Sequence, residues 1–184
     1  MSFENAEQNL KEFGKELNLE GLQFDENNTC ILGIDNKFSL HITYEPNSRR
    51  LYLYSPLLDG LPQDAKSRLV LYETLLEGSM LGGHMAGGGV GVAVKEELIL
   101  MHCVLEMENA DVLALRRFAP IFVEAVEKWR DILQKIIDGT FDKDRDGPKF
   151  PTPGMAGGAG GGIQHPTGPK PGSGGKPGDS YIKI

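Results

Sequence analysis

Apolar residues recur at helical spacing at the start of the chain. Intervals of three or four residues separate Phe3, Ala6, Leu10, Phe13 and Leu17. This spacing places the five side chains on one side of a helix over residues 2–17. A serine at residue 2 suits the N-cap position, because its hydroxyl accepts from N–H groups of the first turn. The pattern therefore predicts an amphipathic helix whose apolar stripe needs cover.

The next part of the chain alternates between strand-like segments and turns. The segments cover residues 30–34, 38–44 and 51–57, and the gaps between them are short and rich in Asp, Asn and Pro. Such short gaps predict an antiparallel meander. In the middle segment, Phe38, Leu40, Ile42 and Tyr44 alternate with polar residues, so one face of the sheet is expected to be apolar.

A second helix is predicted over residues 62–81, with Pro62 in its first turn. Apolar residues cover so much of its circumference that part of it is expected to meet another subunit. The glycine-rich segment 81–91 then predicts a flexible connection, because glycine has the largest backbone entropy cost of ordering.

Two further strands and a long helix complete the folded part. The strands are predicted at residues 90–94 and 98–106, and the second is apolar on both faces apart from His102, as in an interior strand. The helix begins at Asn109 or Asp111 and ends near Ile137, with a kink or short break expected at Pro120. The predicted class is α+β: helix, three-strand meander, helix, two strands and long helix, in a twisted antiparallel sheet with helices.

Composition divides the chain near Asp138. Residues 139–184 contain 13 of the 24 glycines and 7 of the 11 prolines, so we predict a folded domain over 1–138 and a disordered Gly/Pro-rich tail over 139–184. Residues 1–138 carry 13 Lys and Arg against 22 Asp and Glu. This acidic balance disfavours nucleic acid and anionic membranes as partners. No segment has the length and apolarity of a membrane span or a signal region, which predicts a cytoplasmic protein without membrane insertion.

The residues that could perform chemistry form no recognised motif. The glycine-rich segment lacks the lysine and hydroxyl of a phosphate-binding loop, and it precedes a strand. Residues 142–147 match the start of a calcium loop, but Pro153 stands where the bidentate glutamate belongs. The four histidines are predicted to be structural, and Cys30 and Cys103 to be buried small hydrophobic residues. We expect no catalytic residue, metal or cofactor.

The chain resembles the CesT (Tir chaperone) family, the class I chaperones of type III secretion. The resemblance rests on the element order, on the small acidic domain and on the segment LYLYSPLLDGLPQDAKSRLVLYETLLEGSMLGGHMAGGGVGVAVKEELILMHCVLE, and it covers about residues 2–137. Within the family it is nearest to the chlamydial SycE-like chaperones. The long glycine run and the 46-residue tail depart from the family pattern.

The resemblance implies a bacterial, cytoplasmic homodimer that is not an enzyme. It implies binding of the N-terminal region of secreted effectors in extended form, which keeps them soluble and competent for secretion. It also implies presentation of these effectors to the type III export apparatus, whose ATPase supplies the energy.

The apolar pattern suggests where such contacts would lie. Effector pockets are placed on the first helix and early strands, at Leu10, Phe13, Leu17, Ile31, Leu40, Ile42, Leu51 and Leu53. The dimer contact is placed at Leu71, Leu75 and Met80. Periodicity shows which side of an element is apolar and not what covers it, so each of these residues could equally belong to the core.

Two other functions remain open from the sequence. One is a small-ligand-binding or enzymatic α+β domain that uses the glycine-rich segment as a lid. An enzyme would bring several titratable groups with perturbed pKa values into a cleft, whereas a chaperone would have an apolar groove. The other is a scaffold subunit of the secretion machine with its tail as a tether.

Overall fold

The computed structural model describes residues 2–19 and 21–149. Three long helices are present in this part: α1 (Ser2–Glu16), α2 (Ala65–Ser79) and α3 (Ala114–Ile137). Five strands accompany them: β1 (Thr29–Ile34), β2 (Phe38–Glu45), β3 (Arg50–Asp59), β4 (Gly89–Ala93) and β5 (Leu98–Glu106). A one-turn helix, α4 (Lys143–Asp146), follows α3. The element order and the α+β class confirm the sequence prediction.

All strands form one antiparallel sheet in the order β1-β2-β3-β5-β4. The first three strands are the predicted meander, and β5 is an interior strand between β3 and β4, as its two apolar faces indicated. The register aligns Ile42 with Leu53 and Leu53 with Cys103. Residues directly opposite each other point to the same face, so one face collects the apolar side chains of three strands.

The core lies between that face and the helices. Alternate residues of β2, β3 and β5 are buried there, including Leu40, Ile42, Leu51, Leu53, Ile99 and Met101, all with no exposed surface. Phe122 and Trp129 of α3 are the largest side chains buried with them. The apolar side chains that recur every two residues in the strands and about every 3.6 residues in the helices therefore pack together in a single apolar layer.

α1 and α3 are joined by a buried amide. Asn9 has no exposed surface, and its Oδ1 accepts from the backbone N–H of Leu115 at 2.9 Å. Its Nδ2 donates to the carbonyl oxygen of Asp111 at 3.2 Å. The N-cap residue of α3, Leu113, has no capping side chain, so Asn9 supplies this hydrogen bond from another helix.

Both later helices begin after their predicted starts. The carboxylate of Asp64 accepts from the N–H of Ser67 at 2.7 Å and fixes the first turn of α2, so Pro62 lies before the helix. α3 begins at Ala114 and continues through Pro120 as one helix.

The glycine-rich segment is anchored against the protein. It begins with a 3-10 turn over residues 80–82, and Met85 has no exposed surface. The carbonyl oxygen of His84 accepts from Trp129 Nε1 at 2.7 Å. Gly88 lies so close to the backbone of His102 that a Cβ atom would overlap the His102 carbonyl. These contacts do not suit the lid that one sequence-based alternative requires.

The chain continues in a defined path beyond Asp138. Residues 139–149, which we call the C-terminal strap, contain α4 and turn back onto the protein. Asp146 pairs with Lys135 of α3 at 2.8 Å, and Lys143 pairs with Glu77 of α2 at 3.1 Å. Phe141 packs against the core. These contacts therefore extend past the boundary predicted at Asp138, and the rest of the predicted tail, residues 150–184, lies outside the described residues.

Candidate functional site

A groove runs between α1 and the segment that follows it. Its cavity has a volume of about 790 Å³. Five apolar side chains line it: Phe3, Leu10, Leu19, Leu22 and Phe24. Charged side chains of Glu7, Lys11, Lys15 and Asp25 stand along its walls. An apolar floor with a polar border is the usual character of a surface that binds another molecule.

Gly14 allows this groove to form. After α1 the chain turns back, and the N–H of Leu19 donates to the carbonyl oxygen of Gly14 at 2.9 Å. A Cβ atom on Gly14 would lie 2.9 Å from Leu19 O and 3.0 Å from Leu22 Cβ. The missing side chain therefore brings Leu19 and Leu22 close to α1.

Aromatic contacts attach the groove to the sheet. The ring of Phe3 lies 5.2 Å from that of Tyr44 on β2 and 6.0 Å from that of Phe24, between ring centroids. The hydroxyl groups of Ser2 and Tyr44 are 2.7 Å apart and share a hydrogen bond. The start of α1 is thus held on the sheet, near the strand that forms its edge.

β1 is that edge strand, since it pairs only with β2. Ile31 on β1 is 58% exposed, on the face of the sheet opposite the core. The register aligns Ile31 with His41, His41 with Tyr54, and Tyr54 with His102. An edge strand offers unpaired backbone groups, so a further extended chain can add to it.

The His41 ring is stacked on Tyr54 in this row, with centroids 4.8 Å apart. Its Nε2 shares a hydrogen bond with Ser39 Oγ at 2.9 Å. Partial burial lowers the pKa of His41 below its ordinary value, so the ring is neutral at pH 7. This part of the open face is therefore an uncharged aromatic surface.

The structure divides the predicted effector-binding residues into two groups. Leu17 and Ile31 are exposed, by 41% and 58%. The other six are at most 5% exposed within the core: Leu10, Phe13, Leu40, Ile42, Leu51 and Leu53. Strand alternation directs Leu40, Ile42, Leu51 and Leu53 into the core, and helical spacing does the same for Leu10 and Phe13. Their role in effector binding stays a prediction. Leu10 forms part of the groove floor.

Sequence reasoning missed the segment after α1, which supplies Leu19, Leu22 and Phe24 to the groove. These residues have neither helical nor strand periodicity. The available signal was the apolar spacing in LNLEGLQF, together with a glycine in the last turn of α1.

The predicted dimer residues divide in the same way. Leu71 and Leu75 are at most 1% exposed in the core, while Met80 is 56% exposed. The other apolar side chains of this helix and the turn after it face outward. We call this surface the outer α2 face; it consists of Leu69, Leu76, Met80 and Leu81. Leu81 is 98% exposed and has a φ of 55°, a strained conformation for a leucine.

In the part of the chain that the structure describes, the titratable groups do not indicate a reaction centre. Within residues 2–19 and 21–149, no group of three or more His, Cys, Asp or Glu side chains is arranged to hold a metal ion. Burial raises the pKa of the Cys103 thiol to about 12, which removes its nucleophilic form at neutral pH. No helix in the described part is long and apolar enough to span a bilayer.

Comparison with protein families gives a match to the Tir chaperone protein (CesT) family over residues 8–130. The chain belongs to this family. The matched residues extend from α1 to α3 and include the edge strand, the outer α2 face and all of the groove lining except Phe3 and Glu7. A search of curated protein sequences gave no match.

Solved structures with the same fold include chains from three protein complexes. The HopA1–SchA chaperone–effector complex has a chain 24% identical to this one with a TM-score of 0.55, covering 69% of this chain and 94% of that one. The ExsC–ExsE complex gives 15% identity and a TM-score of 0.59, covering 71% and 94%. The Yersinia pestis type III secretion chaperone SycH, solved with a stable fragment of YscM2, gives 17% and 0.50, covering 67% and 98%. These likenesses establish the fold, and the nearness to SycE-like chaperones stays a prediction.

Proposed function

We propose that this CesT family member is a type III secretion chaperone that binds the N-terminal region of a secreted effector in extended form. The observation that carries the proposal is the open groove of about 790 Å³, with its five apolar lining residues, which connects to the edge strand β1 where the Asp25 N–H donates to the carbonyl oxygen of Thr29. Support also comes from the fold, which is similar to chains in a chaperone–effector complex and in a type III chaperone complex.

The groove and the edge strand have complementary roles in this proposal. An extended effector segment adds to β1 through backbone hydrogen bonds, which do not depend on its side chains. Its apolar side chains contact Ile31 and enter the groove near Leu19 and Phe24. Because backbone pairing tolerates many sequences, it is the groove that selects among effector segments by their apolar side chains.

This mode of binding accounts for solubility and presentation. Apolar effector segments that would associate in water are covered by the chaperone while they remain unfolded. The loaded complex is then delivered in the bacterial cytoplasm to the export apparatus and its ATPase. The chaperone itself binds no nucleotide and catalyses no reaction.

We also propose a homodimer formed through the outer α2 face. Leu69, Leu76 and Met80 follow one side of the helix, and Leu81 continues it with almost its whole side chain in water. Covering apolar surface stabilises an association by about 25 cal/mol for each Å² removed from water. Two copies related by a twofold axis would cover the same patch on each other.

Effector binding can be tested with a substitution at the rim of the groove. Leu19→Asp places a charge on a side chain that is 45% exposed, so the fold should tolerate it. The chaperone is co-expressed with tagged N-terminal segments of candidate effectors, and the co-purified amount is measured. We expect a loss of at least about tenfold, since a buried charge costs more than 1.4 kcal/mol. Ile121→Asp, at a 56% exposed position on α3, is the matched control. If both variants recovered the same amount of effector segment, the groove would not be the binding site.

Dimerisation has a separate test. Leu76→Glu places a charge in the centre of the outer α2 face at a 69% exposed position, and Val112→Glu is the control at a 45% exposed position. Sedimentation should show a dimer for the parent chain and the control, and a monomer for Leu76→Glu. A parent chain that is monomeric at micromolar concentration would contradict the dimer and leave effector binding unaffected.

A further inference from the structure

A second hollow lies between α3, the glycine-rich segment and the C-terminal strap. Its cavity is about 370 Å³. Trp129 and Ile132 form the floor, Pro148 forms part of the wall, and three cationic side chains line it: Lys128, Arg145 and Lys149. This hollow shares no lining residue with the groove along α1.

A positive hollow is an exception on this protein. Residues 1–149 carry 16 Lys and Arg against 25 Asp and Glu. Three cationic side chains from two separate elements, α3 and the strap, therefore line one cavity, although the net charge of residues 1–149 is negative. A negatively charged partner repelled by the rest of the surface would be attracted here.

The one carboxylate that lines the hollow is already engaged. Asp146 accepts from Lys135 Nζ at 2.8 Å and from Arg145 Nη2 at 2.8 Å, and its side chain is 6% exposed. These pairs hold the pKa of Asp146 well below its usual range, so it stays ionised and bound to them. In the described part of the chain, Lys128 and Lys149 have no ion-pair partner. The hollow thus keeps positive charge available for a ligand.

We propose that this hollow binds a short acidic peptide segment. Its cations stand on different elements around a cavity with space for several side-chain groups, an arrangement that suits successive carboxylates along a chain. The partly apolar floor would exclude water from the ion pairs and strengthen them. This site is independent of the effector groove, and its test does not depend on effector binding.

Trp129 provides a direct report of occupancy. It is the only tryptophan of the chain, it lines the hollow, and its Nε1 is fixed by the hydrogen bond to the His84 carbonyl oxygen. A negatively charged peptide bound above it changes the electric field at the buried indole. Its emission should therefore change on binding.

The test titrates the full chain with hexaglutamate, and reads Trp129 emission and equilibrium dialysis of the labelled peptide in parallel. Binding should saturate and weaken as salt increases. Lys128→Glu and Lys149→Glu should each weaken it about tenfold, because reversing a charge replaces an attraction with a repulsion. Lys66→Glu makes the same change of net charge at an exposed position on α2 and should bind as the parent does.

Three outcomes would overturn the proposal. The first is absence of binding in dialysis, with or without an emission change. The second is an equal loss of affinity for Lys66→Glu and Lys128→Glu, which would show attraction to the whole molecule. The third is displacement of the peptide by an equimolar amount of inorganic phosphate, which would identify a site for a small anion.

Discussion

Asn9 shows how one polar side chain can organise two helices. It occupies the apolar side of α1, where the periodicity of the sequence leads one to expect a hydrophobic residue. Its amide makes hydrogen bonds to both sides, to the N–H of Leu115 and to the carbonyl oxygen of Asp111. Buried in this way, it fixes the position of α3 relative to α1.

We expect Asn9→Leu to lower the free energy of unfolding by about 1–3 kcal/mol, because the N–H of Leu115 would be left buried without a partner. Urea denaturation followed by circular dichroism measures the change. Gln8→Leu is the control, since Gln8 is exposed on the same helix and its substitution should cost under about 0.5 kcal/mol. Equal stability of Asn9→Leu and the parent would show that the amide does not hold the helices together.

Cys103 gives the folded state a dependence on alkaline pH. Burial raises its pKa from the ordinary value of 9.0 to about 12, so the folded protein keeps the thiol proton between these pH values and the unfolded chain loses it. Stability should therefore fall as the pH rises above 9. Urea midpoints measured on either side of pH 9 test this, and Cys103→Ala should have a shallower decline. A thiol reagent should label the native protein slowly at pH 8 and the unfolded chain completely.

The contact between α2 and α3 depends on a glycine. Gly78 lies against the ring of Trp129, and a Cβ atom at Gly78 would overlap the ring carbons Cζ2 and Cη2. The indole cannot move aside freely, because its Nε1 is bonded to the His84 carbonyl oxygen. The two helices therefore approach each other through the space that a side chain would fill.

We expect Gly78→Ala to destabilise the protein by about 1–3 kcal/mol, the range for an overpacked core. Thermal unfolding gives the stability, and Trp129 emission reports the local change. Gly91→Ala is the matched control in strand β4, where a Cβ atom would meet nothing within 4 Å. If Gly78→Ala were as stable as Gly91→Ala, the helices would have room that the structure does not show.

The elements differ in how far the sequence could predict them. Strand alternation in β2 and β3 and helical spacing in α1 gave the type and place of these elements, because each has one buried face. α2 was harder, because its apolar residues surround the helix. The sequence could not separate Leu71 and Leu75, which face the core, from Leu76 and Met80, which face water, since this depends on where α3 passes.

The folded body extends past the end of α3. A chain that ends at Asp138 lacks Phe141, which packs against the core, and loses the ion pairs that attach the strap to α2 and α3. Residues 139–149 are mostly charged and have no periodic apolar pattern, so the sequence gave no sign of these contacts.

We expect the chain that ends at Asp138 to fold and to be less stable than the chain that ends at Lys149 by about 1 kcal/mol, from the apolar area of Phe141. Thermal unfolding of the two truncated chains gives the comparison. Phe141→Ala in the full chain should shift stability in the same direction. Identical melting of the two truncated chains would mean that the strap contributes nothing to the fold.

The candidate site was predictable as a region and not as a set of residues. The sequence pointed to the first helix and early strands, and the groove and β1 lie there. Six of the eight named side chains are nonetheless buried, because the helices and the sheet pack together over them in the core. The groove depends on the return of the chain beside Gly14. The apolar spacing of residues 17–24 marks a segment that needs cover, but it does not show where that segment packs.

The uncharged edge strand has a consequence for the free protein. β1, with the sequence TCILGI, carries none of the lysines or prolines that usually prevent a sheet edge from meeting its own kind. In the absence of a partner, two molecules can align these edges and form one continuous sheet, which covers the β1 edge of both. Because this pairing occupies the same edge that an added strand needs, it would compete with strand addition more strongly as the concentration of the free protein rises.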